Sequence, residues 1–397
     1  MELAMYLEDL GFQAFNVTFG SYGDHNSYER DVQAHAFVAD ACEKIKSVVK
    51  IPVYCTNRVT TAGVAEAVLR SGKADLIGMG RTSLADPHFP NKAREGKEET
   101  VRHCINCNLG CYGSLLSGGT CTCLVNPTVG REDEIDAWTE VPRKKVFVAG
   151  GGPGGVWAAL TANARGHEIV IFDEKDRLGG MFISASYPPE KGELSLFTSW
   201  MNQEVKAKGI ETRFGTRLTK EIVEEEKPDT VIVAAGGRPL TPPIPGINGA
   251  NVYHAEDVLL GKVPTGANVV VCGGGEVGVE TAAAMAFRLN GKVTIVEMLP
   301  NIFASLDFDK LITEYKIDVK TETKVTEIKE DRVVVEKDGV KSEIPATQVV
   351  LAFGYKPDNS LAEELKGLCD VKVIGGSVKT SNAVDATRDG FNAGMAV

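Results

Sequence analysis

Two glycine-rich turns and one group of cysteines carry the residue types and spacings in this chain that could do chemistry. The first turn, Gly150-Gly151-Gly152-Pro153-Gly154-Gly155, follows the apolar run Val146–Ala149. The second, Gly273-Gly274-Gly275-Glu276-Val277-Gly278, follows Val269–Cys272. Each precedes an Ala-rich stretch that reads as a helix. Glycines there let the backbone approach a pyrophosphate, and the helix start offers free N–H groups to it. One such turn is weak evidence. Two in strand–turn–helix context, each with an acid about 20 residues on, are strong.

The acids sit where a ribose would lie. The strand His167–Phe172 ends at Asp173, and a carboxylate there hydrogen-bonds an adenosine ribose. The strand Lys292–Val296 ends at Glu297, which accepts a 2′-hydroxyl and repels a 2′-phosphate. No Arg follows to welcome a phosphate, so this unit is expected to prefer NADH to NADPH. The bland alternative at both tips is a solvated acidic turn.

The cysteines run Cys104-x2-Cys107-x3-Cys111, with Cys121 and Cys123 downstream. Thiolates at this spacing can converge on one soft metal centre, either a [4Fe–4S] cluster or zinc. Spacing alone leaves the two balanced, and two dinucleotide sites nearby favour the redox metal. Further upstream, Thr56-Asn57-Arg58 ends one expected strand and Gly78-Met79-Gly80-Arg81 ends the next. Parallel strands whose C-terminal ends present Gly and Arg can clamp a phosphate, as after strands seven and eight of a TIM barrel. The plainer reading pairs these arginines with acids such as Asp86 or Glu95. None of the six histidines belongs to a nucleophile motif, and Trp138, Trp157 and Trp200 read as packing residues.

The elements that position these groups follow from periodicity. Residues 1–103 alternate strands (Ala14–Phe19, Ile51–Thr56, Asp75–Met79) with helices (Asp31–Val49, Ala62–Ser71), a parallel α/β pattern. A Cys- and Gly-rich stretch, His103–Pro127, and an acidic linker, Gly130–Lys145, come next. From Val146 the chain reads as one nucleotide-binding domain interrupted by another. Its strand Thr230–Ala235 ends at Gly236-Gly237-Arg238-Pro239, before a Pro-rich hinge at Thr241–Gly246. In 397 residues, 43% hydrophobic and 24% charged, there is room for two or three domains of an ordinary globular protein. A net charge of −11 argues against nucleic acid or an anionic membrane as partner. No apolar run reaches the length of a membrane span and the N-terminus has no basic leader, so cytoplasm is the expected compartment. Nine cysteines in that compartment point to metal or redox chemistry rather than disulfides.

Taken together these residues resemble the C-terminal part of the large NADH:flavin oxidoreductases of the Old Yellow Enzyme class, the group of 2,4-dienoyl-CoA reductase, 2-enoate reductase and the bile-acid-inducible oxidoreductases. The most specific stretch is Gly78-Met79-Gly80-Arg81, Leu84-Ala85-Asp86-Pro87, the Cys104/Cys107/Cys111 spacing and Cys123-Leu124-Val125-Asn126-Pro127. The resemblance implies Cys123, directly before Leu-Val-Asn-Pro, as fourth cluster ligand over Cys121. It implies Arg58, Gly80 and Arg81 at an FMN phosphate, FAD at Gly150, Gly152, Gly155 and Asp173, and NADH at Gly273, Gly275, Gly278 and Glu297. Electrons would pass from NADH through FAD and [4Fe–4S] to FMN, and on to an activated C=C bond of an enoate, enoyl-CoA or steroid enone.

The fold it implies is α/β: part of a TIM barrel (1–103, about strands six to eight), an iron–sulfur segment and linker (104–143), a first FAD-binding part (144–262), an inserted NAD-binding domain (263–346) and an FAD return segment (347–397). Two features depart from the family. Ile374-Gly375-Gly376-Ser377 stands where relatives carry Gly-Asp against the flavin ribityl chain. Only about three barrel strands precede the cysteines, against eight strands and about 250 residues in a complete barrel. The sequence therefore reads as N-terminally incomplete, with exposed strand edges that make this end poorly stable alone. Tyr22 falls near a substrate-side position of the family and is the sole catalytic candidate. The expected partner is a small enoate or enoyl substrate, with homo-oligomers or an electron-acceptor protein also open. The competing expectations are an NADH-dependent electron-transfer module serving a partner protein and a truncated, non-catalytic product.

Overall fold

The computed structural model describes every residue except 21–33, 137–140, 265, 289–290, 304–305 and 381, and the side chains of 136 and 306–308. Tyr22, His25 and Trp138 lie outside the described residues. The N-terminal unit is a three-stranded parallel sheet, β1 (Phe15–Val17), β2 (Val53–Cys55) and β3 (Leu76–Ile77), in that order. Helices Ala39–Lys46 and Ala62–Arg70 cross between strands, and Val38, Cys42, Val53, Cys55, Val59 and Val68 form its small core. The expected helix Asp31–Val49 is observed over Ala39–Lys46, with residues 34–38 in coil and turn and 31–33 outside the described residues. β1 and β3 are both sheet edges, and Leu3, Tyr6, Leu10 and Phe12 of the first helix and the turn after it are exposed.

The first nucleotide unit is built on β4 (Lys145–Ala149), β5 (Glu168–Asp173), β6 (Glu211–Phe214) and β7 (Thr230–Val233), with β8 (Gly237–Pro239) following. The second is built on β9 (Val252–His254), β10 (Asn268–Cys272), β11 (Lys292–Val296) and β12 (Asp318–Lys320). Three antiparallel strands, β13 (Lys324–Ile328), β14 (Arg332–Lys337) and β15 (Val340–Pro345), lead to β16 (Gln348–Leu351). β17 (Tyr355–Pro357) and β18 (Asp370–Val373) return the chain to the first unit. The parallel sheets run β18-β7-β4-β5-β6 and β12-β11-β10-β16-β9, and β8 with β17 forms the two-stranded link.

Strands buried on both faces read as apolar runs, and alternate residues divide between two cores. Val146 and Val148 face the core shared with helices Pro153–Ala164 and Ala383–Met395, while Phe147 and Ala149 face Val231, Val233 and Leu218. In the second unit Val269 and Val271 face the helix layer, and Val270 and Cys272 face β13–β15. The second sheet takes in strands on both sides of the expected 263–346 segment. β9 and β16 pair with each other and β16 with β10, so the crossing back to the first unit falls after Leu351. Such long-range pairing leaves no mark in local periodicity.

The cysteine segment does not form a separate knob. Cys104, Ile105, Leu124 and Val125 lie in the same core as Val156, Trp157, Phe197 and Trp200 of the first nucleotide unit. Arg102 fastens the joint. Its Nε–H donates to the Ala85 carbonyl (2.7 Å), and its guanidinium lies 5.1 Å from the Trp157 ring and 5.0 Å from the Trp200 ring. Asp86, 2% exposed, accepts from Lys92 Nζ (2.7 Å) and from the Arg102 and His88 N–H groups (3.0 Å each).

Burial alone would raise the Asp86 carboxyl, but the Lys92 and Arg102 hydrogen bonds outweigh it and hold it below the usual carboxylate range. Asp86→Asn is therefore expected to cost about 2 kcal/mol, as for a lost charge-assisted hydrogen bond. A depressed carboxyl stabilises the fold above its unfolded pKa and loses that contribution as pH falls through the folded value. The difference between wild type and variant in denaturant melts should thus be full above pH of about 4 and shrink below it. A difference that grows on acidification would contradict this account.

Candidate cofactor-binding sites

The two glycine turns share one geometry, and the three glycines of each answer different demands. Gly150 and Gly273 have φ of +110° and +112°, the left-handed region open to glycine, and a Cβ on them would stand 2.3 and 2.4 Å from the carbonyls of Ala234 and Ala352. A Cβ on Gly155 or Gly278 would stand 1.9 or 2.0 Å from the carbonyl of Gly150 or Gly273. Those four positions are glycine for reasons internal to the fold. Gly152 and Gly275 are not: the nearest atom to a Cβ is 3.8 Å away at Gly152, and none lies within 4 Å at Gly275. They face open space at the starts of helices Pro153–Ala164 and Glu276–Arg288.

The carboxylates at the strand tips are also used alike. Asp173 accepts the N–H of Gly151 (2.6 Å) and of Lys175 (2.8 Å); Glu297 accepts those of Gly274 (2.6 Å) and Leu299 (2.8 Å). Each acid thus pins its glycine turn to the neighbouring strand while staying partly exposed.

An open cavity of about 770 Å³ lies over the first turn, lined by Gly152, Asp173, Gly237, Arg238, Tyr355 and Gly376 among others. Burial pushes the Tyr355 hydroxyl up to about 12, so it stays a neutral donor. A Cβ on Gly376 would come within 3.1 Å of Gly236 Cα, a tight approach at this turn. Ser377 Oγ accepts the Gly236 N–H (2.9 Å), and the carboxylate at this turn comes from Asp389, which accepts the Gly375 N–H (3.1 Å). Two ion pairs cross between the nucleotide units beside the cavity: Lys175 with Glu256 (2.5 Å) and Lys191 with Glu280 (3.3 Å). No local pattern marks Tyr355, Glu256 or Asp389, since each meets the cavity or turn only through folding.

In the cysteine segment Cys111 stands on a π-helical turn, Leu109–Gly113, of the kind common at functional sites. Gly110 O accepts the Thr122 N–H (2.9 Å), which draws Cys123 beside this turn. Cys104, Cys107 and Cys123 lie in mutual electrostatic reach, and Cys111 faces Cys104 and Cys107. Cys121 faces only Cys111. Desolvation pushes the Cys107 and Cys123 thiols up to about 12. No three His, Cys, Asp or Glu side chains among the described residues converge on a single ion. His103 Nδ1–H donates to the Thr60 carbonyl (2.9 Å).

The strand ends Thr56–Arg58 and Gly78–Arg81 lie side by side, because β2 pairs with β3. Asn57 and Arg58 hold φ of +65° and +52°, and Asn106 and Asn108 hold +52° and +55°, so left-handed residues flank both the arginine turn and the first cysteines. Neither arginine takes Asp86 or Glu95. Arg58, 4% exposed, pairs with Glu193 (2.5 Å), which also meets His35 Nε2 (3.1 Å) and accepts from Asn106 Nδ2 (2.7 Å). Arg81 Nη1 donates to Asn108 Oδ1 (2.5 Å). Gly80 has nothing within 4 Å of a Cβ.

The comparisons agree with this layout. Residues 144–375, more than half of the chain, match the family described as pyridine nucleotide-disulphide oxidoreductase. Residues 2–100 match the NADH:flavin oxidoreductase / NADH oxidase family. The chain is 38% identical to NADH oxidase of Thermoanaerobacter brockii, over 98% of this chain and 62% of that protein. It is 33% identical to cinnamate reductase of Clostridium sporogenes, over 97% of this chain and 59% of that protein. Among solved structures, a 2-naphthoyl-CoA reductase in complex with 2-naphthoyl-CoA superposes with a TM-score of 0.93 at 28% identity, over 100% of this chain and 62% of that one. The chain thus spans less than two thirds of the length of these relatives.

The glycine geometry makes a direct prediction. Gly155→Ala and Gly278→Ala, each forcing a Cβ into a carbonyl, should cost about 3 kcal/mol or more. Gly275→Ala should leave thermal unfolding essentially unchanged, and Gly152→Ala, at a helix N-cap, should cost about 1 kcal/mol or less. Equal destabilisation in all four would contradict the division of roles.

Proposed function

The chain belongs to the pyridine nucleotide-disulphide oxidoreductase family, and from that premise we propose that it carries electrons from NADH through FAD and a [4Fe–4S] cluster toward reduction of an activated C=C bond. Members of these two families use FAD, FMN, NADH and iron–sulfur clusters. When bound, these groups supply the redox chemistry: they accept an electron pair from NADH and divide it into single electrons. The observation that carries the proposal is the pair of open glycines, Gly152 and Gly275, above helix N-termini, each the cradle a Cβ would fill.

On this reading Gly150, Gly152, Gly155 and Asp173 hold FAD, and Gly273, Gly275, Gly278 and Glu297 hold NADH. Asp173 and Glu297 keep their glycine turns in place and present oxygen to a ribose. Glu297 accepts a hydroxyl and repels a 2′-phosphate, which supports NADH over NADPH. Tyr355 offers a neutral O–H to the flavin cavity.

Cys104, Cys107, Cys111 and Cys123 hold the cluster. Four mutually close cysteines beside two dinucleotide units support a redox cluster over a single structural zinc. Cys121, facing Cys111 alone, stays outside the set.

The fit to FMN is incomplete. Arg58 is already balanced by Glu193 and Arg81 is engaged with Asn108, so these residues do not stand as a ready phosphate clamp. That same pairing supports the second reading, an NADH-dependent electron-transfer module that passes electrons from the cluster to a partner. The nine free cysteines suit the cytoplasm, and no helix among the described residues is long and apolar enough to cross a membrane.

Anaerobic purification with iron analysis and flavin chromatography tests the proposal. About four iron atoms per chain together with FAD, and NADH-dependent reduction of a cinnamate-type acid or enoyl thioester, are expected. Reduction of artificial acceptors alone would favour the electron-transfer module, and absence of FAD would overturn both. Cys123→Ser should lose iron and Cys121→Ser should keep it. Gly152→Ala should lower FAD content at unchanged iron, a split that general unfolding would not produce.

A further inference from the structure

Arg102 brings a positive charge to the Cys123 side of the thiol group, the two groups lying in electrostatic reach. Its guanidinium lies over both Trp157 and Trp200, whose rings are 5.7 Å apart and which are 6% and 5% exposed. Trp157 and Trp200 share one core with Ile105, Leu124 and Val125, so this wall of the cysteine site is largely apolar. A charge lying over indoles in such surroundings is screened less than one in water.

The acids that face Arg102 are Asp86 and Glu204, and each has a cation of its own. Lys92 stands 2.7 Å from Asp86, and Lys208 stands 3.7 Å from Glu204. Arg81 faces Cys104 and outweighs Glu193, which is itself paired with Arg58. The field on the cysteine group is therefore positive, with Arg102 supplying it on the Cys123 side.

We propose that Arg102 is a positioning and tuning residue that raises the reduction potential of an iron–sulfur cluster held by Cys104, Cys107, Cys111 and Cys123, with Trp157 and Trp200 fixing its guanidinium beside Cys123. The inference rests on the cluster assignment made above. A cluster gains one negative charge for each electron it takes up, and a fixed cation nearby stabilises that added charge. The arrangement favours electron flow out of a reduced flavin into the cluster. It also explains why a basic residue sits inside an aromatic core, where a Leu or Met would pack at lower cost.

The test is a dithionite titration of anaerobically purified protein, followed by electron paramagnetic resonance, with iron counted in every sample. In Arg102→Gln the ratio of reduced to oxidised cluster at the wild-type midpoint should fall about tenfold, a shift of about 59 mV to more negative potential for a one-electron couple. Arg102→Lys, which keeps the charge, should restore most of the shift. Glu204→Gln, a partly exposed change that removes an opposing charge, should move the midpoint the other way. It decides the matter even where Arg102→Gln fails to hold iron.

Full iron with unmoved midpoints in Arg102→Gln or Glu204→Gln overturns the tuning role alone. Wild-type protein without cluster iron overturns the assignment beneath it, and the inference with it.

Discussion

Arg102, lying over the paired rings of Trp157 and Trp200, is the contact on which the arrangement of this chain depends. Three parts of the polypeptide meet there. Its N–H reaches Asp86 and its Nε–H reaches Ala85 at the end of the N-terminal unit, its neighbours in sequence begin the cysteine segment, and the indoles belong to the first nucleotide unit. Phe197 stacks on Trp200 (5.9 Å, 11°), and Phe182, which lines the large cavity, meets Phe197 edge-on (5.6 Å). An unbroken run of rings thus leads from the cavity to Arg102. A guanidinium can stack on ring faces and donate in its own plane at once, which an ammonium cannot.

Packing the cysteine segment into that core has a consequence for its chemistry. A loop of Gly, Asn and Cys has little hydrophobic material, yet Ile105, Leu124 and Val125 give it three anchors in the nucleotide unit's interior. The thiols are then desolvated, and their spacing is held by the Gly110–Thr122 backbone contact rather than by flexible loops. Glu193, at the start of the helix Leu194–Ala207, ties Arg58 and Asn106 to the same unit from the other side.

The repeated nucleotide units show how one device is used twice. In each, the middle glycines lie between a carboxylate at the adjacent strand tip and an open approach to the helix start. The first unit is closed by helix Ala383–Met395, which approaches so near that a Cβ on Gly390 would fall 2.1 Å from the Gly154 carbonyl. The second is closed by the antiparallel β13–β15 layer. The shared turn leaves an open approach to a helix start in both, and the wide cavity lies over the first.

Much of this was legible in the residues themselves. Both strand–turn–helix fingerprints stand where the glycine pattern places them, and Lys292–Val296 forms its strand with the boundaries read from sequence. The acids Asp173 and Glu297 occupy the tips, because a buried parallel strand must end where its apolar run ends. The partners of Arg58 and Arg81 were not legible: nearby acids were the natural candidates, and Glu193 lies 135 residues from Arg58. Nor was the membership of β9 and β16 in the second sheet, since strand pairing is chosen by the whole sheet.

What the sequence determined alone is therefore whatever rests on backbone freedom and local periodicity: two glycine cradles, their strands and helices, and a cysteine spacing able to hold a metal centre. Only the tertiary structure decided which charges meet, which thiols face one another, and that Arg102 lies over two indoles within electrostatic reach of Cys123. The reason is physical. Glycine conformations and apolar runs act over a few residues, whereas an ion pair or a ring stack is set by surfaces that folding brings together from distant parts of the chain.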